Sequence, residues 1–138
     1  MLHEPISHAS RLAGLSAAIS LHAAARDRDG GFPVEAFDEL FARGLVGEPP
    51  LQFEQAGELL HLLSAVGRGD LSTGRIYEGH VNTLFLIDRF GTPEQREIAF
   101  RKASEGAVFG VWNTDHYSNP LVLEGDVLKG SKSFASGV

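Results

Sequence analysis

Between Ser10 and Arg26, Leu12, Leu15, Ile19 and His22 recur every three or four residues among alanines. Alanine has the highest helix propensity, and this spacing predicts one amphipathic helix. Asp29-Gly30-Gly31 breaks the pattern. Pro33 then stands where a first helical residue tolerates a missing N–H, and Val34, Phe37, Leu40 and Phe41 form a second apolar face, closed by Gly44. Glu48-Pro49-Pro50 predicts a rigid connection, since each proline fixes its own dihedral and restricts its predecessor. A third helix is expected from about Gln52 to Val66, with Phe53, Ala56, Leu60 and Leu63 on its apolar face, ending at Gly67-Arg68-Gly69.

Asp70 can accept hydrogen bonds from the free N–H groups of a fourth helix, which runs to about Arg89. Its second half holds Leu84, Phe85, Leu86 and Ile87 in succession, predicting burial on most sides and placing the centre of the domain there. In Thr92-Pro93-Glu94-Gln95, Thr92 and Gln95 can form a capping box around a first-turn proline, opening a fifth helix to about Ala103. After Glu105-Gly106 the helical period disappears. Ala107 to Thr114 is rich in Val, Phe and Trp, and Leu121-Val122-Leu123, Glu124-Gly125-Asp126 and Val127-Leu128 read as a hairpin turned at glycine. The fold class expected is mostly α, with about five helices first and strands second.

Composition narrows the function. With 138 residues, 43% hydrophobic and 22% charged, the chain can build a real core. A net charge of -6 supplies no basic patch to neutralise phosphates, so no nucleic-acid role is assigned. The absence of cysteine removes disulfides and thiolate chemistry, and is compatible with a reducing compartment. The six histidines show neither a His-Glu-x-x-His pattern nor a ligand cluster, so no metal is expected. Polar breaks at Ser16, Ser20 and His22 argue against a signal peptide or membrane span, which leaves the cytoplasm as the expected location.

Three motifs then occur in one order: Phe90-Gly91-Thr92-Pro93-Glu94-Gln95, Gly110-Val111-Trp112-Asn113-Thr114-Asp115, and Gly130-Ser131-Lys132-Ser133-Phe134-Ala135-Ser136-Gly137. Over essentially the whole chain, this order resembles the acyl-CoA dehydrogenase flavoenzyme superfamily. The resemblance implies a helical N-terminal domain at residues 1–106 and the opening strands of a β-barrel-like middle domain at 107–138. It also implies FAD as cofactor, acyl-CoA or another small molecule as substrate, and a homo-oligomer when complete. The family's catalytic carboxylate comes from a C-terminal bundle with no counterpart here, so no catalytic residue is assigned. The isolated chain is expected neither to hold FAD tightly nor to dehydrogenate a substrate, as for a piece of a longer polypeptide.

By the same resemblance, Thr114 corresponds to the threonine of the family's Thr-Glu-Pro segment, which hydrogen-bonds the flavin ring, while Trp112 and Asn113 supply backbone contacts beside it. Phe134 takes the place of an aromatic against the isoalloxazine, and Ser136 that of a hydroxyl directed to the reactive flavin nitrogen. An aromatic face on a flat ring and a small hydroxyl at its edge suit a flavin. The family's glycine-serine loop is replaced by Asp115-His116-Tyr117-Ser118-Asn119-Pro120. Flavin-dependent monooxygenases and oxidases of the same fold, acting on other substrates, are compatible with such a change.

Each residue also has a plainer reading. Thr114 is a common strand former, Phe134 a candidate core aromatic and Ser136 a candidate turn residue. His80 could face an acyl pocket, with Asn82 and Thr83 nearby, but a lone helical histidine is more often a surface group or a satisfied core group. Three functional readings therefore stand: part of an acyl-CoA dehydrogenase-like enzyme, part of a flavin monooxygenase or oxidase, and a non-catalytic helical interaction module.

Overall fold

A computed structural model of the protein describes residues 7–134. It is mostly helical, with a few short antiparallel strands. The expected first helix is divided into α1 (His8–Leu12), α2 (Leu15–Ser20) and α3 (Ala23–Asp29). Gly14 causes the first break, with a left-handed φ of 69°. The break leaves helical carbonyls without partners, and Arg43 reaches back to donate to the carbonyls of Arg11 and Ala13, both at 2.7 Å. Near the second break Arg26 donates to the Ile19 carbonyl at 3.2 Å. His22, expected on the buried stripe, is exposed.

Helix α4 (Val34–Ala42) buries Ala36, Phe37 and Leu40, while Val34 and Phe41 face solvent. Gly44 follows with φ 68°, the left-handed conformation expected of a helix-terminating glycine. A 3₁₀ turn at Phe53–Gln55 leads into α5 (Ala56–Gly69). The buried face of α5 is Leu62, Ala65, Val66 and Gly69. Of the face expected from the sequence, Phe53, Ala56 and Leu60 are exposed and Leu63 is half-buried. The run of leucines offers more than one stripe, and the close crossing of α2 at Gly69 selects among them. A Cβ on Gly69 would lie only 2.8 Å from both the Ile19 Cβ and the Ser16 carbonyl oxygen.

Asp70 caps α6 (Leu71–Phe90), accepting from the Ser72 and Thr73 N–H groups. Burial opposes its ionisation, but the Thr73 hydroxyl, the Arg26 guanidinium and the two N–H groups outweigh that and hold its carboxyl below the usual range. The main core joins Leu15, Ile19, Phe37, Leu40, Leu62, Val66, Tyr77 and Val81, drawn from α2, α4, α5 and the first half of α6. The expected centre at Leu84–Ile87 is therefore displaced. Leu84 is buried in a smaller cluster with Ala99 and Ala103, whereas Phe85 and Leu86 are each more than a third exposed.

The Thr92–Gln95 capping box opens α7 (Pro93–Ser104) as the sequence predicts. Beyond Gly106 the chain runs without regular structure to β1 (Thr114–Asp115). Val108 packs on the main core and Phe109 on the smaller one. The hairpin β2 (Val122–Glu124) and β3 (Val127–Lys129) forms in the expected place. Gly125 provides the left-handed φ of 62° that a tight hairpin turn requires. The last element, β4 (Lys132–Ser133), returns to pair with β1.

Candidate functional site

The antiparallel β1–β4 pair joins two stretches that lie on either side of the hairpin in sequence. Thr114 sits opposite Ser133 and Asp115 opposite Lys132. This register brings Asn113, which precedes Thr114, and Phe134, which follows Ser133, out at the same end of the pair. The Lys132 ammonium and the Asp115 carboxylate meet at 2.6 Å. That contact, reinforced by the Leu121 N–H, keeps the Asp115 carboxyl below its ordinary range.

The segment 115–120 is a compact turn. Within it the Asn119 N–H donates to the His116 carbonyl at 3.2 Å. Ser131 anchors the turn from the other side. Its carbonyl accepts from the His116 N–H at 3.0 Å, its N–H donates to the Asn119 carbonyl at 2.9 Å, and its hydroxyl accepts from the Asn119 side-chain amide at 3.0 Å. The His116 ring stacks on Tyr117, which is 94% exposed. Gly130, with φ 120°, lets the chain turn into β4 against Pro120, where a side chain would collide with backbone.

The four predicted site residues that fall within the described range are at the surface. Thr114 lies on β1, Asn113 and the half-exposed Trp112 precede it, and Phe134 is 85% exposed. Phe134 is thus not a core aromatic. It also carries a φ of 59°, a left-handed conformation that costs a non-glycine residue roughly 1–2 kcal/mol. Ser136 lies outside the described residues.

On helix α6 the plainer of the two readings of His80 holds. Tyr77, His80, Val81 and Leu84 make up its inward stripe, and both polar members are satisfied. The Tyr77 hydroxyl donates to the Leu45 carbonyl at 2.6 Å, and burial pushes this phenol far above its ordinary range, so it remains a donor. His80 is fully buried, with Nε2 at 2.9 Å from the Val46 carbonyl oxygen and Nδ1 at 3.1 Å from the Phe109 N–H. Burial lowers its pKa and the Val46 hydrogen bond opposes that only in part. It is a satisfied core histidine. Asn82 instead lines an open cleft of about 320 Å³ with Leu59, Leu63, Glu78, Val81 and Phe85. Thr83 spends its hydroxyl on the Gly79 carbonyl at 2.9 Å.

Sequence reasoning did not connect His80 with Phe109, or Ser131 with Asn119. A signal for the first existed, because the spacing of Tyr77, Val81 and Leu84 puts His80 on the same buried stripe. The second pairing depends on two loops meeting and leaves no local pattern. Among the described residues no group of three or more histidine or acidic side chains is placed to hold a metal ion, and no helix is long and apolar enough to cross a membrane. The chain matches no family model, no curated protein and no solved structure.

Proposed function

We propose that this chain supplies one edge of a flavin site in an FAD-dependent oxidoreductase of the acyl-CoA dehydrogenase type. In this reading, residues 1–106 form the helical N-terminal domain and 107–138 begin a β-barrel-like middle domain. The single observation that carries it is the β1–β4 register. The two segments assigned to flavin by resemblance are far apart in sequence, yet they are hydrogen-bonded neighbours, with Thr114 opposite Ser133. Phe134 adds a second support. An exposed aromatic held in a left-handed backbone is poor design for a core but suits a surface that another element or a ligand will cover.

Flavin binding requires a second wall, which the reading assigns to a C-terminal bundle in a complete, homo-oligomeric cytoplasmic enzyme. Thr114 would donate to or accept from the ring edge, Trp112 and Asn113 would offer backbone groups, and Phe134 and Ser136 would lie against the ring and its reactive nitrogen. The substrate class is acyl-CoA or another small molecule. The ordered turn at 115–120 supports the alternative of a flavin monooxygenase or oxidase. Its fixed backbone and projecting Tyr117 replace the glycine-serine loop that resemblance associates with acyl-CoA.

The test is titration of the isotopically labelled chain with FAD at millimolar concentration, followed by amide chemical shifts. The expected result is weak, saturable shifts confined to residues 112–114 and 133–136, with no flavin surviving gel filtration. Shifts scattered over α1–α5, or none at all, would refute the flavin edge. A stoichiometric flavin complex surviving filtration would refute the need for a second wall.

A further inference from the structure

We propose that His80 is a positioning residue whose neutral imidazole, protonated on Nε2, fixes the segment leading to Trp112-Asn113-Thr114 against the helical core. The inference rests on the flavin-edge reading for its functional meaning, though its geometry stands apart from any ligand. From Ala107 to Asn113 the backbone belongs to no helix or strand, so no regular ladder sets its path. It is tied at its start by the Ala107 N–H to the Lys102 carbonyl at 2.9 Å, and two residues later by the Phe109 N–H to His80 at 3.1 Å. Beyond Phe109 only Gly110 and Val111 separate it from Trp112.

The partners of His80 determine its tautomer. A carbonyl oxygen can only accept, so the nitrogen at 2.9 Å from Val46 O carries the hydrogen. A backbone N–H can only donate, so the nitrogen facing Phe109 is bare. With both nitrogens paired, the buried ring avoids the cost of an unsatisfied polar group. It also lies between two aromatic rings, Tyr77 and Phe109, each 6.0 Å away between centroids. Tyr77 and His80 are one turn apart on α6 and hold the consecutive carbonyls of Leu45 and Val46. One imidazole therefore links three stretches: the connection after α4, the middle of α6, and the approach to β1. An apolar ring at this position would fill the space but could not accept from Phe109.

Long-range proton–nitrogen correlation spectra of the labelled chain at neutral pH give the first test, expected to show His80 protonated on Nε2 with a bare Nδ1. Amide exchange and the fluorescence of Trp112, the chain's single tryptophan, then compare wild type with His80→Phe and His80→Gln. In His80→Phe the Phe109 amide should exchange about five- to tenfold faster, the size expected for one lost hydrogen bond, and Trp112 emission should shift. The Ser72 and Gln95 amides, held by their own caps, should be unchanged. His80→Gln, which keeps one donor and one acceptor, should recover most of the protection. An Nδ1–H tautomer in wild type, or unchanged Phe109 exchange in a folded His80→Phe, would overturn the proposal. If His80→Phe does not fold, the wild-type tautomer decides. Because none of these readouts requires flavin, a correct tautomer combined with no FAD-induced shifts would retain the positioning role of His80 and discard the flavin reading.

Discussion

Gly130→Ala should separate β4 from β1 without unfolding the helices. The residue has φ 120°, a region that L side chains rarely adopt, and holding alanine there costs about 1–3 kcal/mol. A Cβ would also lie 2.7 Å from the Pro120 carbonyl carbon and 2.8 Å from the Leu121 Cα, against a comfortable carbon separation of roughly 3.5–4.0 Å. Both obstacles are backbone, so no rotamer change relieves them. The chain must move by about 1 Å, a distortion of the kind that costs a further 1–3 kcal/mol or so. Together these reach about 2–6 kcal/mol, acting on a ladder of two residue pairs at the surface. Such a ladder opens locally at far less than the cost of global unfolding, so the strain is released by letting β4 go. Hydrogen exchange at His116 and Ser131, whose N–H groups bond to Ser131 and Asn119, should rise to the rate of a free peptide. Exchange within α6 and the far-ultraviolet melting curve should stay as they are. Gly125→Ala is the control, since its φ of 62° imposes a dihedral cost but nothing lies within 4 Å. Retained protection of His116 and Ser131 in Gly130→Ala would refute the claim that close backbone approach at this glycine assembles the candidate site.

Gly69→Ala should destabilise the whole helical domain by about 1–3 kcal/mol in urea unfolding, because a methyl group would wedge α2 away from α5 at Ile19 and Ser16. Gly79→Ala, with the Val111 nitrogen 3.9 Å from its added Cβ, should be neutral or stabilising by up to about 1 kcal/mol from helix propensity; equal effects from the two would contradict the crossing. Stability should also decline in two steps on acidification. The native His80 pKa lies below the ordinary value of about 6.5, so the unfolded chain takes up the proton first and stability is lost as pH falls below that value. Asp70 is held below the ordinary carboxylate range, so its contribution is complete above about pH 4 and disappears as pH drops through the lower native value. Denaturant midpoints measured from pH 8 to pH 3 should show the first step flattened in His80→Gln and the second in Asp70→Asn.

Local chemistry left clear marks wherever a few neighbouring residues decide the outcome. The Thr92–Gln95 box, the Asp70 cap, the left-handed Gly44 and the hairpin turned at Gly125 all occur where the sequence predicts them. Each depends on hydrogen bonds or dihedrals spanning no more than a turn, so no distant partner is needed to specify it. The site was legible only in outline. Trp112, Asn113 and Thr114 could be marked as a group, but nothing local indicated that Thr114 would face Ser133, or that a histidine on α6 would accept from Phe109.

The class of the protein was readable from its residues alone: helices first, short antiparallel strands after, with the main breaks at Gly, Pro and capping residues. Tertiary structure decided which faces are buried and where the first helix breaks. Arg43 takes up the carbonyls that the break before Gly14 sets free, and it comes from a different helix end. The choice among the leucines of α5 followed from Gly69 admitting α2, a contact between residues fifty positions apart (69 − 19). Burial at Leu84–Ile87 does not extend around the helix, because Phe85 and Leu86 stand at the edges of open clefts rather than inside a packed layer. Periodicity reports that a residue is apolar, whereas burial requires a neighbour, and neighbours are supplied only by the folded chain.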